Sequence, residues 1–392
     1  MPMRYFLPAL TRDQWLLFIN NLLWGFGGSL YLYIQPIYLT ELKATPEQIG
    51  IALGLSVLVV TLGYVPLGMW TDNLGRKPLM VIGWAVAAGC TGIMALAPDW
   101  RWFAVAYAVY HLTNFVFPAF QSYIIASATP CTQQYVISTL YGAFWLGSIF
   151  APVIGGWIGE HFGLRAVYAT AAGLFGLATL TFIPLRDQPH ERTPATHHLK
   201  QLWRNRAFVG LMCFIFLLFF ILNLGQALLP KYLEEVRGFS LGQIGQMGTA
   251  AIAGVTLFTW LFGRMKTEGN RALVLSQVMM LAALALFWLT SNVWLAALAY
   301  FIGGGHWLMR PLLVGRLAHT LEPAQMHLGL SFYQTVTQAA VALSPYIAGL
   351  LYERAPTWPL YAAMAGIVLT LSFTVLQRTR SAPQTRLEIE IQ

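Results

Sequence analysis

One arginine and two histidines stand deep inside long apolar runs of this 392-residue sequence, away from their ends: Arg310, His111 and His306. An Arg at the centre of such a run costs about 2.5–3.5 kcal/mol on insertion scales, so it needs a partner or a task. Arg310 lies one helical turn after His306 and directly before Pro311. Its guanidinium fork could anchor an anionic or carbonyl-rich solute, pair with backbone carbonyls freed at Pro311, or reach toward the cytoplasmic face. The two histidines could exchange a proton near neutral pH, or sit neutral and hydrogen-bonded in the interior. Neutral polar residues recur in the same kind of run: Asn20, Trp24, Tyr31 and Gln35; Asn114 beside His111; Asn223 and Gln226; and Tyr333, Gln334 and Gln338. Hydrogen-bond donors, acceptors and aromatic faces of this type recognise a solute. They do not compose a hydrolytic site. The sequence holds no HExxH, no GxSxG, no acidic pair within a run and no phosphate-cradling loop, so no enzyme activity, metal or cofactor is expected. His190, His197 and His198 read as part of a solvated linker.

These residues are carried by an unusual composition. The chain is 57% hydrophobic and only 10% charged, with a mean hydropathy of +0.60; an ordinary soluble domain is about 25% charged. Disorder and a disulfide scaffold are excluded by the hydrophobicity and by three cysteines, which read as small buried thiols. Apolar runs fall at about 14–40, 46–70, 78–97, 102–127, 135–159, 165–185, 207–233, 241–263, 271–290, 293–318, 328–351 and 358–377, each close to the length that spans a bilayer. The first run is too long for a signal segment and is expected to stay in place. The third, sixth, ninth and twelfth carry no charge and few polar groups, which suits contact with lipid.

Charge placement sets the expected orientation. With the N-terminus in the cytoplasm, 16 of the 23 Lys and Arg residues flank the runs on the cytoplasmic side and 6 on the other, leaving Arg310 inside. That bias predicts both termini in the cytoplasm and a location in the cytoplasmic (inner) membrane. The net charge of +8 builds no continuous basic face, so nucleic acid is not an expected partner. The stretch Arg186–Arg206 is rich in Pro, Thr, His and charge and reads as a linker, which divides the chain into halves at 1–185 and 207–392. The halves repeat. Gly50 and Gly245, Gly68 and Gly263, and Arg76 and Arg271 stand 195 residues apart, and Pro118 and Pro311, Pro152 and Pro345, and Gly156 and Gly349 stand 193 apart. A parallel repeat about an axis normal to the membrane is one established way to build a transporter.

Two motifs sharpen this. After the second run the chain reads Gly68, Asp72, Gly75, Arg76, Lys77 at the spacing G-x-x-x-D-x-x-G-R-K; Gly68 would allow close helix approach and Gly75 a tight turn. The fifth run holds Gly147, Ala151, Pro152, Gly155 and Gly156, a stripe of small residues that lets helices pack closely. The first motif resembles the loop signature of the major facilitator superfamily. The second resembles that family's antiporter signature, with Ala151 in place of one Gly. The resemblance implies an all-α membrane fold of 12 transmembrane helices in two six-helix halves, the first, fourth, seventh and tenth lining a cavity. It implies a gating role for Asp72 opposite His327 and Leu328, and secondary active transport of a small organic solute by alternating access. Efflux, with protons as candidate coupling partners, is the leading expectation. Uptake of an organic acid or sugar is the alternative, and a non-transporting sensor a remote one. A monomer in the lipid bilayer is expected. The proton expectation is weakened by the chain itself, whose 15 acidic residues all fall at helix ends or in loops.

Overall fold

The structure, a computed structural model, describes residues 10–71, 75–127, 133–187, 204–264, 269–322 and 325–389. Each of the twelve apolar runs forms a helical segment, and no strand occurs among the described residues. Eight segments are continuous: the second (Pro46–Thr71), third (Arg76–Leu96), fifth (Gln133–Phe162), sixth (Leu164–Leu180), eighth (Leu241–Arg264), ninth (Gly269–Leu289), eleventh (Met326–Arg354) and twelfth (Trp358–Ile389). Eight segments, not the same set, are long and apolar enough by length and composition to cross a membrane; the first, sixth, tenth and eleventh are shorter or more polar.

The remaining four are broken. The first runs Arg12–Tyr31 and resumes at Gln35–Glu41; the seventh runs Arg206–Gln226 and resumes at Leu229–Glu235. The fourth passes from Trp100–Leu112 through a 3₁₀ stretch, Thr113–Val116, into Phe117–Ala126. The tenth passes from Val293–Gly303 through Gly304–Leu308 into Met309–Thr320. A proline follows every break: Pro36, Pro118, Pro230 and Pro311. Proline gives no amide hydrogen to the carbonyl four residues back, here Leu32, Asn114, Gln226 and Trp307, and these carbonyls lie in or at the breaks. Pro152 and Pro345, by contrast, are accommodated inside continuous helices.

The outer surface is apolar, with Leu62 at 69%, Leu369 at 70% and Trp294 at 76% exposure. A water-facing surface does not carry large apolar side chains at this density, whereas a bilayer-facing one does. Cys213, expected inside, is on this surface; Cys90 is buried.

The chain divides into two compact units, residues 1–43 with 55–194, and residues 44–54 with 195–392, termed here the N-unit and the C-unit. In the N-unit, Thr11 and Gln14 form a reciprocal capping box that starts the first helix, and the fifth helix lies on the first with backbone against backbone. A Cβ on Gly155 would strike the Leu30 carbonyl, and one on Gly147 the Leu22 carbonyl. Ala151 between them is fully buried, and Pro152 and Gly156 are buried beside it. The sequence stripe is thus a packing seam, because only small residues admit this approach. In the C-unit, Gly254 of the eighth helix abuts the Phe301 carbonyl of the tenth, and Gly304 returns the contact at Ala251 and Val255.

Candidate functional site

The N-unit gathers tyrosines beside its breaks. Tyr31 stacks on Tyr168 with ring centroids 4.6 Å apart. Tyr107 and Tyr110 lie parallel at 6.2 Å, with His111 edge-on to Tyr107 at 4.4 Å. Trp24 packs on Phe175 at 4.2 Å and on Trp84 at 4.8 Å. The Tyr107 hydroxyl donates to Gln35 Oε1 at 3.3 Å. Gln35 Nε2 and the Tyr168 hydroxyl are buried with no partner. A buried polar group without a partner costs about 1–3 kcal/mol, so these two atoms are receptive to a ligand or an ordered water. Asn114 is exposed. Asn20 stands apart from this cluster. It is fully buried and donates to the Ala178 carbonyl at 2.8 Å and the Thr181 hydroxyl at 3.2 Å, tying the first helix to the end of the sixth.

The C-unit gathers a cation and amides. Arg310 lies over the rings of Trp307 and Phe219, at 4.9 and 5.3 Å to the centroids. Tyr333 sits edge-on to the same Phe219 ring at 6.4 Å, and its hydroxyl is buried without a partner. His306 Nδ1 is 2.6 Å from the Gly303 carbonyl. A carbonyl only accepts, so Nδ1 carries the proton, and in the neutral ring Nε2 is left as the acceptor. Asn223 donates to its own helix at Phe219, and Gln226 reaches Met280 Sδ at 3.7 Å. Gln334 is exposed and Gln338 half-buried on the eleventh helix.

Two features escaped sequence reasoning. The breaks in the first and seventh helices had a signal in Pro36 and Pro230, 194 residues apart. Lys231, counted among flanking charges, is 3% exposed and pairs with Glu235, which also accepts from the Tyr352 hydroxyl at 2.8 Å; the signal was the i, i+4 spacing of opposite charges.

The loop motif is described in part. Gly68 lies within the second helix; Asp72, and with it the expected facing of His327 and Leu328, lies outside the described residues. Gly75 precedes the third helix at φ −60°, ψ 155°, a conformation open to any residue, so the tight-turn requirement expected of it does not hold. Arg76 and Lys77 open that helix, where the helix dipole disfavours cations. Helix stability therefore does not account for them.

The family profile of the Major Facilitator Superfamily matches residues 17–326. The chain belongs to this superfamily. Multidrug resistance protein 1 of Bacillus subtilis (strain 168) is 23% identical over 372 residues, 91% of this chain and 94% of that protein. The multi-drug resistance efflux pump PmrA of Streptococcus pneumoniae serotype 4 is 27% identical over 262 residues, 64% of this chain and 63% of PmrA. The crystal structure of the nucleoside transporter NupG shares the fold with a TM-score of 0.77 at 15% identity, covering 93% of this chain and 97% of that one. The superfamily member described here is an integral membrane secondary transporter of small molecules, with 12 transmembrane helices and no enzymatic role.

Proposed function

We propose that this transporter is an exporter of a small organic solute, working as a monomer in the cytoplasmic membrane with both termini in the cytoplasm. Residues 1–185 and 207–392 act as its two six-helix halves, joined by a linker at 186–206. The observation that carries the site is the set of four broken helices. Discontinuous spans expose backbone groups and side chains at mid-membrane, which is how carriers of this type hold their cargo. One half offers its own candidate set, Tyr31, Gln35, Trp24, His111 and Asn114. The other half offers a separate set, Asn223, Gln226, His306, Arg310, Tyr333, Gln334 and Gln338. Export is supported by the relatives, which are named for multidrug resistance and efflux, and by the small-residue seam of the fifth helix. A proton gradient is the coupling source proposed, with His111 and His306 as the ionisable groups within reach.

Counterflow and gradient-driven transport in proteoliposomes test this, using solutes chosen by thermal shift from drugs, organic acids and sugars. Export by exchange predicts accumulation when the vesicle interior is acidic. Accumulation under the opposite gradient overturns export in favour of uptake, the second reading, which the fold likeness to a nucleoside transporter supports. Transport indifferent to pH gradients of both signs overturns proton exchange.

A further inference from the structure

Arg310 is a half-buried cation that no acid answers. Among the described residues it has neither an ion pair nor a hydrogen bond, and its guanidinium faces are taken by Trp307 and Phe219. Stacking uses the faces of the group and leaves its N–H edge, with five donors in a plane, available. Next to the same Phe219 ring, Tyr333 is 5% exposed and its hydroxyl has no partner. A donor fork and an unpartnered hydroxyl therefore meet at one ring. A desolvated charge left unanswered is costly. A cationic solute would add repulsion and a neutral one would leave the charge uncompensated. A carboxylate takes two guanidinium N–H groups at once in a planar pair. Trp307, 41% exposed, gives an apolar body something to rest on.

We infer that the cargo is an organic anion, a carboxylate on a small apolar body, gripped by Arg310 with Tyr333 as a second donor. The inference rests on the reading of the chain as a solute carrier and names the chemical class of its solute.

The test uses the purified full-length protein and matched pairs: benzoate with benzamide, salicylate with salicylamide, hexanoate with hexanamide. At least one acid is expected to raise the melting temperature while its amide does not. Arg310→Gln should weaken that acid about 10-fold or more, the loss expected for a charge-assisted pair. Arg310→Lys, which keeps the charge without the fork, should fall between, and Tyr333→Phe should weaken binding by less than Arg310→Gln. Amides that bind as well as acids, an Arg310→Gln protein of unchanged affinity, or no binding by any acid would each overturn the inference. The acid–amide comparison on the unmodified protein decides even where a variant fails to fold. Counterflow of ethidium and uridine separates the two readings. If either exchanges while no acid binds, the carrier reading stands and the anion inference falls; if no solute exchanges at all, both fall.

Discussion

The N-unit and the C-unit interrupt their fourth and tenth helices at the same point of the repeat and fill the interruption with opposite chemistry. Phe117 precedes Pro118 in one, and Arg310 precedes Pro311 in the other, 193 residues apart. Around the first gather aromatic rings: Tyr107, Tyr110, His111, and Tyr31 on Tyr168. Around the second gather a guanidinium, an imidazole and, on the neighbouring seventh helix, two amides. Backbone geometry is shared because proline imposes it whatever its neighbours are. The side chains beside it carry no such obligation, and so one unit offers rings and hydroxyls while the other offers charge.

The largest effect that tests this comparison is expected at the seams beneath the two sites. Gly155→Leu in the N-unit and Gly254→Leu in the C-unit each drive a side chain into a backbone carbonyl. Both should lose about 3 kcal/mol or more of stability, seen as loss of monodisperse protein and a lower melting temperature. Gly173→Leu, whose Cβ meets nothing within 4 Å, should leave both measures near their starting values. A difference between the two seams would show that the units are not equally rigid.

Next in size is the contrast at the breaks. Arg310→Ala should reduce the transport rate about 10-fold or more with folding intact, while Phe117→Ala should change it by less than about 3-fold. Equal losses would mean that shape beside the proline matters and charge does not. Smaller again is a pair within the N-unit. Tyr107→Phe removes the bond to Gln35 and should cost about 0.5–1.5 kcal/mol in thermal melts, whereas Tyr168→Phe removes an unpartnered hydroxyl and should be neutral or stabilising. Destabilisation by Tyr168→Phe would reveal a water or solute held there. The smallest is Ser148→Ala, which gives up bonds to the Phe144 and Gly25 carbonyls and should cost under about 1 kcal/mol, measured in the same melts.

The span limits were legible because hydrophobicity decides where a helix enters and leaves a bilayer. The twelfth helix continues to Ile389, past the expected end at 377, since charge can end a span without ending a helix. The breaks were half legible. Pro118 and Pro311 were paired by the repeat, but nothing in hydropathy marks a 3₁₀ stretch inside an apolar run. Which polar residues face a neighbour was not legible at all. Asn20 and Gln35 share one run, yet Asn20 meets a carbonyl in the last turn of the sixth helix and Gln35 keeps an amide unpartnered. That outcome depends on helix pairing, which residue type does not report. Gly75 carries the opposite lesson, because a motif position with an attractive conformational reason proved to have ordinary dihedrals.

An interrupted helix is also a jointed lever. In the tenth, Gly304 is wedged against the eighth helix and Gly305 against Met279 of the ninth, so the joint is pinned and the arm beyond it carries Arg310. That arm, Met309–Thr320, has 12 residues, about 18 Å of helix. A rotation of about 10° at the joint, exerted by anything that pulls on the guanidinium, sweeps its far tip by about 3 Å. The tip is where the Thr320 carbonyl accepts from Asn205, the residue that caps the seventh helix, at 3.2 Å. Any rotation of this arm about its joint would therefore be felt at the cap of another helix.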